Sequence, residues 1–303
     1  MPERVATSCA CSWAGDVRPG AAGIRVSEAV PQAEGDAAQA YETLMVPALF
    51  GEWAGKVADA ARLGPGQRVL DVACGTGVLA REAAARVGAG GFVAGLDPGA
   101  GMLAVARQLA PAIGWRQGVG ESLPYPDASF DAIVSQFGLM FFRDRREALR
   151  QALRVIRPQG LLAFAVWDSL DHIPAYAAEV MLLERLAGRR AADALRAPFV
   201  LGDRQGLAAL FTNAGVSAVE ISTERGKARF PGARVMVEAD LRGWLPIMVV
   251  DLAEALIDRI LAEAERVLEP YVRPNGAVEF DTSAHIVTGE KPCTEAPASR
   301  PAS

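Results

Sequence analysis

The stretch Val69-Leu70-Asp71-Val72-Ala73-Cys74-Gly75-Thr76-Gly77 decides the reading of this chain. A short, almost continuous apolar run such as 68–73 is the pattern of a strand buried on both faces. Gly75 and Gly77 then let the backbone turn tightly and lie close to a ligand with no Cβ in the way. Helical spacing resumes at Val78, so the turn leads into a helix start with free N–H groups. The next strand, Phe92-Val93-Ala94-Gly95-Leu96-Asp97, ends on an acid. Its separation from the glycine turn is the one expected of a carboxylate that accepts two hydrogen bonds from a ribose diol. A glycine-rich turn with a capping aspartate is the plain alternative; Asp97 at the strand end favours nucleotide-like binding.

Working outward, strand patterns at 68–73, 91–96, 113–118, 130–135, 161–167, 216–223 and 280–288 alternate with helical ones. Strands separated by helices of this length predict an α/β, doubly wound, mostly parallel seven-stranded sheet with helices on both faces. A leading helix over 39–62 carries Tyr41, Leu44, Met45, Leu49, Trp53 and Val57 at helical spacing, with Pro47 expected to interrupt it. One domain, 39–290, is predicted, with helical lid insertions at about 172–197 and 231–274. Ala177, Val180, Met181, Leu183 and Leu186 mark the apolar face of the first, and Leu252, Leu256, Ile260 and Val267 that of the second. Residues 1–38 and 291–303 lack a sustained period and read as disordered tails.

The 303 residues are about half hydrophobic, and the net charge of −5 is spread in mixed sign. No basic stripe argues for nucleic acid. No apolar run reaches the length of a membrane span: the best, 245–257, is broken by Pro246, Asp251 and Glu254. No secretory leader is evident, which leaves the cytoplasm. Four cysteines (Cys9, Cys11, Cys74, Cys293) and two histidines do not have the spacing of a metal site, so no metal is expected.

Asp71–Gly77 resembles motif I of the class I S-adenosylmethionine-dependent methyltransferases. Gly95-Leu96-Asp97-Pro98 with Gly101-Met102-Leu103 is similar to their second motif. Glu121-Ser122-Leu123-Pro124-Tyr125-Pro126-Asp127-Ala128-Ser129-Phe130-Asp131 and Arg154-Val155-Ile156-Arg157-Pro158-Gln159-Gly160 resemble segments of the ubiquinone/menaquinone-biosynthesis (methyltransferase type 11) group. The similarity runs over roughly residues 40–170 and implies a Rossmann-like fold and S-adenosyl-L-methionine as cofactor. It further implies that Gly75, Thr76 and Gly77 pass under the methionine part and that Asp97 holds the ribose. Met102 would pack on adenine or simply serve the core. Gly120 and Glu121 would flank the adenine edge, and Gln136 would face the methionine portion or the substrate. Asp71 would mainly fix the turn by accepting backbone N–H bonds. Three departures stand out: Ala73 replaces a glycine, which is tolerable at negative φ; Gln159 replaces another; and Val119 stands where an Asp often meets the adenine amino group.

Methyl transfer from a sulfonium releases a neutral leaving group, so alignment in a dry site can supply most of the rate. A base is needed only where the nucleophile must lose a proton, as with phenols. Tyr41, Asp168 and His172 are the candidates, against the alternatives of a helix aromatic and solvated loop groups; His285, in an alternating strand, is taken as structural. A nicotinamide-dependent oxidoreductase shares the turn and the strand-end acid, with Ala80 at the third glycine position. A cofactor-binding protein without catalysis is the other alternative. The expected partner is a small organic acceptor, aromatic or polyketide- or lipid-like, roofed by the two insertions.

Overall fold

The computed structural model describes residues 30–292. The expectations for 1–29, 293–303, Cys9, Cys11 and Cys293 lie outside that range.

The chain enters through α1 (Val30–Ala40), which begins within the stretch expected to be a tail; Ala38 is buried and the helix packs on α4. Pro47 does not interrupt the leading helix. Tyr41–Phe50 is wound wider, as a π-helix, and runs straight into α2 (Gly51–Ala60). The wide winding lets the Gly51 N–H reach back five residues to the Val46 carbonyl, so the ladder continues past a residue that has no N–H to give.

Next come β1 (Arg68–Val72), α3 (Val78–Val87), β2 (Phe92–Asp97), α4 (Ala100–Leu109), β3 (Gly114–Gln117), β4 (Phe130–Gln136), α5 (Arg145–Val155) and β5 (Ile156–Trp167). The strands pair in parallel, with Asp71 of β1 level with Gly95 of β2 and Val134 of β4. Beyond them lie α6 (Pro174–Ala187), α7 (Arg189–Arg196), α8 (Arg204–Ala214), β6 (Ser217–Phe230), α9 (Ala233–Ala239), α10 (Leu245–Ile247), α11 (Glu254–Val267) and β7 (Val278–Glu290). β7 slots antiparallel between β5 and β6, giving the order β3-β2-β1-β4-β5-β7-β6. The sheet is therefore seven-stranded and mostly parallel, as its pattern predicts. The strand order reverses between β1 and β4, and ligands of such sheets bind outside the carboxyl ends at that point.

The first insertion is two helices, split at Gly188 (φ +85°). The buried face of α6 is Ala175, Tyr176, Glu179, Val180, Leu182 and Leu183; Met181, expected on it, is 67% exposed. Apolarity alone does not fix which positions turn inward, and Glu179 takes one of them.

Ala73 has φ +60°, not the negative value that would make an alanine comfortable. The N–H groups of Ala73 and Cys74 both donate to the Leu96 carbonyl on β2 (2.8 and 3.1 Å), and this forces the left-handed bend. Gly138 leaves room for the Ala73 methyl: a Cβ there would lie 2.5 Å from it. Gln159 also sits at φ +65°, in the turn inside β5. A left-handed non-glycine residue costs about 1–2 kcal/mol, while glycine's freer unfolded chain returns about 0.4–1. Gln159→Gly is thus expected to stabilise by about 0.5 kcal/mol. Urea unfolding of the two proteins checks the sign; a loss of stability would mean that the Gln159 side chain contributes more than its strain costs.

Candidate functional site

Outside the carboxyl ends of β1, β4 and β5 lies a chamber of about 430 Å³ with a mostly apolar wall. At one end are Asp71, Ala73, Cys74, Gly75 and Met102; at the other are Phe137, Trp167, Tyr176 and Phe199. Tyr41, Leu44 and Phe50 of the leading helix cover it, and residues of both insertions, including Ile173, Leu195, Asp240 and Trp244, close the roof. Phe137 and Trp167 stack at 3.8 Å, and Trp53 meets both edge-on at 5.6 Å. Phe141 packs on Trp244 at 5.1 Å and carries the wall across to the second insertion.

The glycine turn is built by β2. Asp97 accepts from the Gly75 N–H through Oδ2 and from the Gly99 N–H through Oδ1, each at 2.8 Å. Both oxygens keep a second lone pair for a hydroxyl donor. Burial raises the Asp97 carboxyl, and the two amides hold it down. Gly75 (φ +54°) lines the chamber. Gly77 (φ +87°) does not: a Cβ there would lie 2.3 Å from the Trp115 ring, so this glycine is needed for packing as well as for its turn. Arg81 donates to the Thr76 carbonyl and to Glu42, both at 2.7 Å, which ties the turn to the covering helix.

Asp71, expected to fix the turn, is held on the backbone side by the Ala80 amide in the first turn of α3. Its carboxylate is 1% exposed, and no side chain donates to either oxygen. The Ala73, Cys74, Gly75 and Gly77 amides are already taken by Asp97 and by the Leu96 and Cys74 carbonyls. Burial and the charge of Asp97 push the Asp71 carboxyl well above the usual range. A buried carboxylate with no cation beside it on the wall of a chamber calls for a cationic or hydrogen-bonding ligand. The ammonium of a methionine-type ligand meets that demand, Gly75 leaves its backbone uncovered, and Met102 offers an apolar face; these residues fit S-adenosylmethionine.

The remaining candidates divide by place. Gln136 lines the chamber; its Nε2 donates to the Phe50 carbonyl at 3.0 Å and its Oε1 has no partner. Tyr41 lines it and stacks on Phe50 at 5.2 Å; burial, with Asp97, Glu42 and Asp71 nearby, raises its phenol, so it remains a donor at neutral pH. Thr76, Gly120, Glu121, Asp168 and His172 are not on the wall. A Cβ on Gly120 would meet the Phe142 ring at 3.0 Å, and Glu121 accepts from the Arg143 N–H at 2.7 Å. Asp168 accepts from Ser283 at 2.7 Å and sits against His285 at 3.2 Å, its carboxyl held low by Ser283, the Ser169 amide and His172. His172 pairs with it at 3.0 Å on the open side. His285 is buried, bridging Thr223 and the Gly202 carbonyl at 3.0 Å each. Sequence reasoning missed Glu179, Asp240 and Thr282. Glu179 leaves a signal in the sequence, as an acid three residues after Tyr176 and four before Leu183 on an apolar face. Among the described residues no helix is long and apolar enough to cross a membrane.

The fold and this chamber together define a Rossmann-like α/β domain with a ligand chamber at its switch point. Residues 70–164 match the family model described as a methyltransferase domain. Over 113 residues it is 42% identical to a demethylmenaquinone methyltransferase of Renibacterium salmoninarum, covering 37% of this chain and 46% of that protein. It is also 42% identical, over 102 residues, to a ubiquinone/menaquinone biosynthesis C-methyltransferase of Pectobacterium carotovorum, covering 32% and 41%. The chain thus spans under half the length of these curated relatives. The YcgJ protein of Bacillus subtilis superposes with a TM-score of 0.54 at 20% identity, covering 78% of this chain and 97% of that one. A Haemonchus contortus phosphoethanolamine N-methyltransferase solved with S-adenosyl-L-methionine superposes at 0.53 with 15% identity, covering 85% and 57%. The nicotinamide alternative is not favoured by these matches.

Proposed function

We propose that this protein is a methyltransferase that uses S-adenosyl-L-methionine to methylate a small aromatic or quinone-like metabolite. The observation that carries the reading is the buried Asp71 carboxylate, met by the Ala80 amide and by no cation, at the glycine end of an apolar chamber whose far end is aromatic. When bound, the cofactor supplies an electrophilic methyl group on a sulfonium that leaves as a neutral sulfide. The chain's residues bind and orient. Asp71 holds the ammonium, Gly75 passes beneath the methionine portion with Thr76 and Gly77 shaping its turn behind the wall, and Asp97 holds the ribose. Met102 takes one face of the adenine, with Gly120 and Glu121 behind its edge. Gln136 turns its free Oε1 toward the reacting end. Phe137, Trp167 and Phe199 offer a slot for a flat ring and exclude water, which strengthens every polar contact inside. The relatives' quinone-type substrates agree with such a slot. A chamber of about 430 Å³ suits a small molecule rather than a nucleic acid.

Calorimetry with S-adenosylhomocysteine and with NAD tests the cofactor: the first is expected to bind and the second not, and the reverse result would sink the reading. Asp97→Ala is expected to weaken S-adenosylhomocysteine by about 1.5–3 kcal/mol, through loss of charge-assisted hydrogen bonds. Labelled methyl transferred from the cofactor into a small product of cell extract is the result expected of an enzyme. Intact cofactor binding with no labelled product would leave a catalytically silent binding protein.

A further inference from the structure

The roof of the chamber holds polar groups that the cofactor end does not use. Asp240, at the start of a π-wound turn (Asp240–Trp244) after α9, lines the chamber; it is 3% exposed and its Oδ2 has no hydrogen-bond partner. Behind it, Glu179 of α6 is fully buried, and neither of its carboxylate oxygens has a partner. Tyr176, one helical turn earlier, and Thr282 of β7 line the same end, and the Thr282 hydroxyl is also without a partner. No ion pair of the described residues reaches either acid. Arg242, the neighbouring cation, is held by Glu238 and Glu254 at 2.8 Å on the outer side.

Two carboxyl groups buried together without a cation are costly, and such an arrangement points to a ligand that uses them. Burial raises both, and Asp240 raises Glu179 in addition; Asp240 is pushed up to about 8. Such a pair shares protons, so it presents a hydrogen-bond acceptor without a full buried charge. That favours a neutral O–H over a permanent cation. π-wound turns also recur at functional sites, and here both of them, Tyr41–Phe50 and Asp240–Trp244, border the chamber.

We propose that Asp240, backed by Glu179 as a positioning residue, is the recognition site for a hydroxyl group on the methyl acceptor, which is therefore phenolic. The acceptor's O–H donates to Asp240 Oδ2. Transfer of that proton needs Asp240 in its ionised form, whose share grows as pH rises toward about 8; the proton then moves to the carboxylate and the electron pair stays on the acceptor oxygen. A carboxyl group poised near neutrality suits this task. The proposal rests on the methyl-transfer reading and narrows its substrate class.

The test is calorimetric titration of 1-naphthol, 1-methoxynaphthalene and 1-naphthylmethylamine into protein loaded with S-adenosylhomocysteine. The wild type is expected to bind the naphthol about tenfold or more tighter than the methyl ether, the worth of one hydrogen bond to a charged or proton-sharing group. Asp240→Asn and Glu179→Gln are each expected to shrink that ratio to about twofold while leaving the S-adenosylhomocysteine affinity unchanged. A wild-type ratio near one, no naphthol binding, tightest binding of the amine, or a ratio untouched by both substitutions would overturn the proposal. The wild-type ratio decides it even if a variant fails to fold. Failure of the wild type to bind S-adenosylhomocysteine would instead overturn the methyl-transfer reading, and the proposal with it.

Discussion

Asp71→Asn is expected to stabilise the cofactor-free protein and, in the same molecule, to cripple cofactor binding. At neutral pH the unfolded Asp71 is ionised. Folding must either bury that charge without a cation or bind a proton, because the carboxyl is 1% exposed and is raised by burial and by Asp97 more than the Ala80 amide lowers it. Asparagine has nearly the same shape and incurs neither cost, so a gain of about 1–3 kcal/mol is expected. With the ligand the balance inverts. Loss of a desolvated carboxylate–ammonium pair typically costs about 2–5 kcal/mol, or roughly 30-fold to several thousand-fold in affinity. Thermal melting without ligand and calorimetry with S-adenosylhomocysteine measure the two halves. An affinity within about twofold of wild type would remove Asp71 from the cofactor site. A lowered melting temperature would show that the carboxylate's contacts outweigh the cost of its burial.

The second large effect is in the dependence of stability on pH. Asp240, pushed up to about 8, and Glu179, raised by burial and by Asp240, hold their protons in the folded state at pH values where the unfolded chain has released them. The unfolded state then binds fewer protons than the native one, so stability falls as pH rises from about 4 to about 8. Each group can contribute up to about 1.4 kcal/mol per pH unit inside its window. Asp71 acts with the same sign, whereas the lowered carboxyl of Asp168 acts only below about pH 4. Urea unfolding of the ligand-free protein is expected to show a loss of about 3 kcal/mol or more between pH 5.5 and 8.5. Glu179→Gln should flatten the curve and be the more stable protein at the alkaline end. A wild-type curve that is level or rising over this range would mean that the pair is neutralised by a partner.

The sequence by itself determined the sheet, the glycine turn and the acid at the end of β2. These depend on near neighbours in the chain: apolar runs bury as strands, glycine admits positive φ, and Asp97 lies within reach of the turn that precedes it. They also sufficed to place Gly75, Met102 and Gln136 at the chamber. Tertiary structure decided what depends on distant partners. Ala73 is bent into the left-handed region by a carbonyl on the adjacent strand, and the space for its methyl comes from Gly138. Asp71 meets the Ala80 amide and not that of Gly75, which Asp97 has already taken. Pro47 is absorbed by a wider winding that packs on β6. Asp168 and His172, level with the fifth strand's carboxyl end in sequence, turn away toward Ser283 and solvent. Above all, Glu179 and Asp240 belong to different insertions. Only the packing of those two elements over one chamber buries them together, and periodicity within either segment carries no information about a charge delivered by the other.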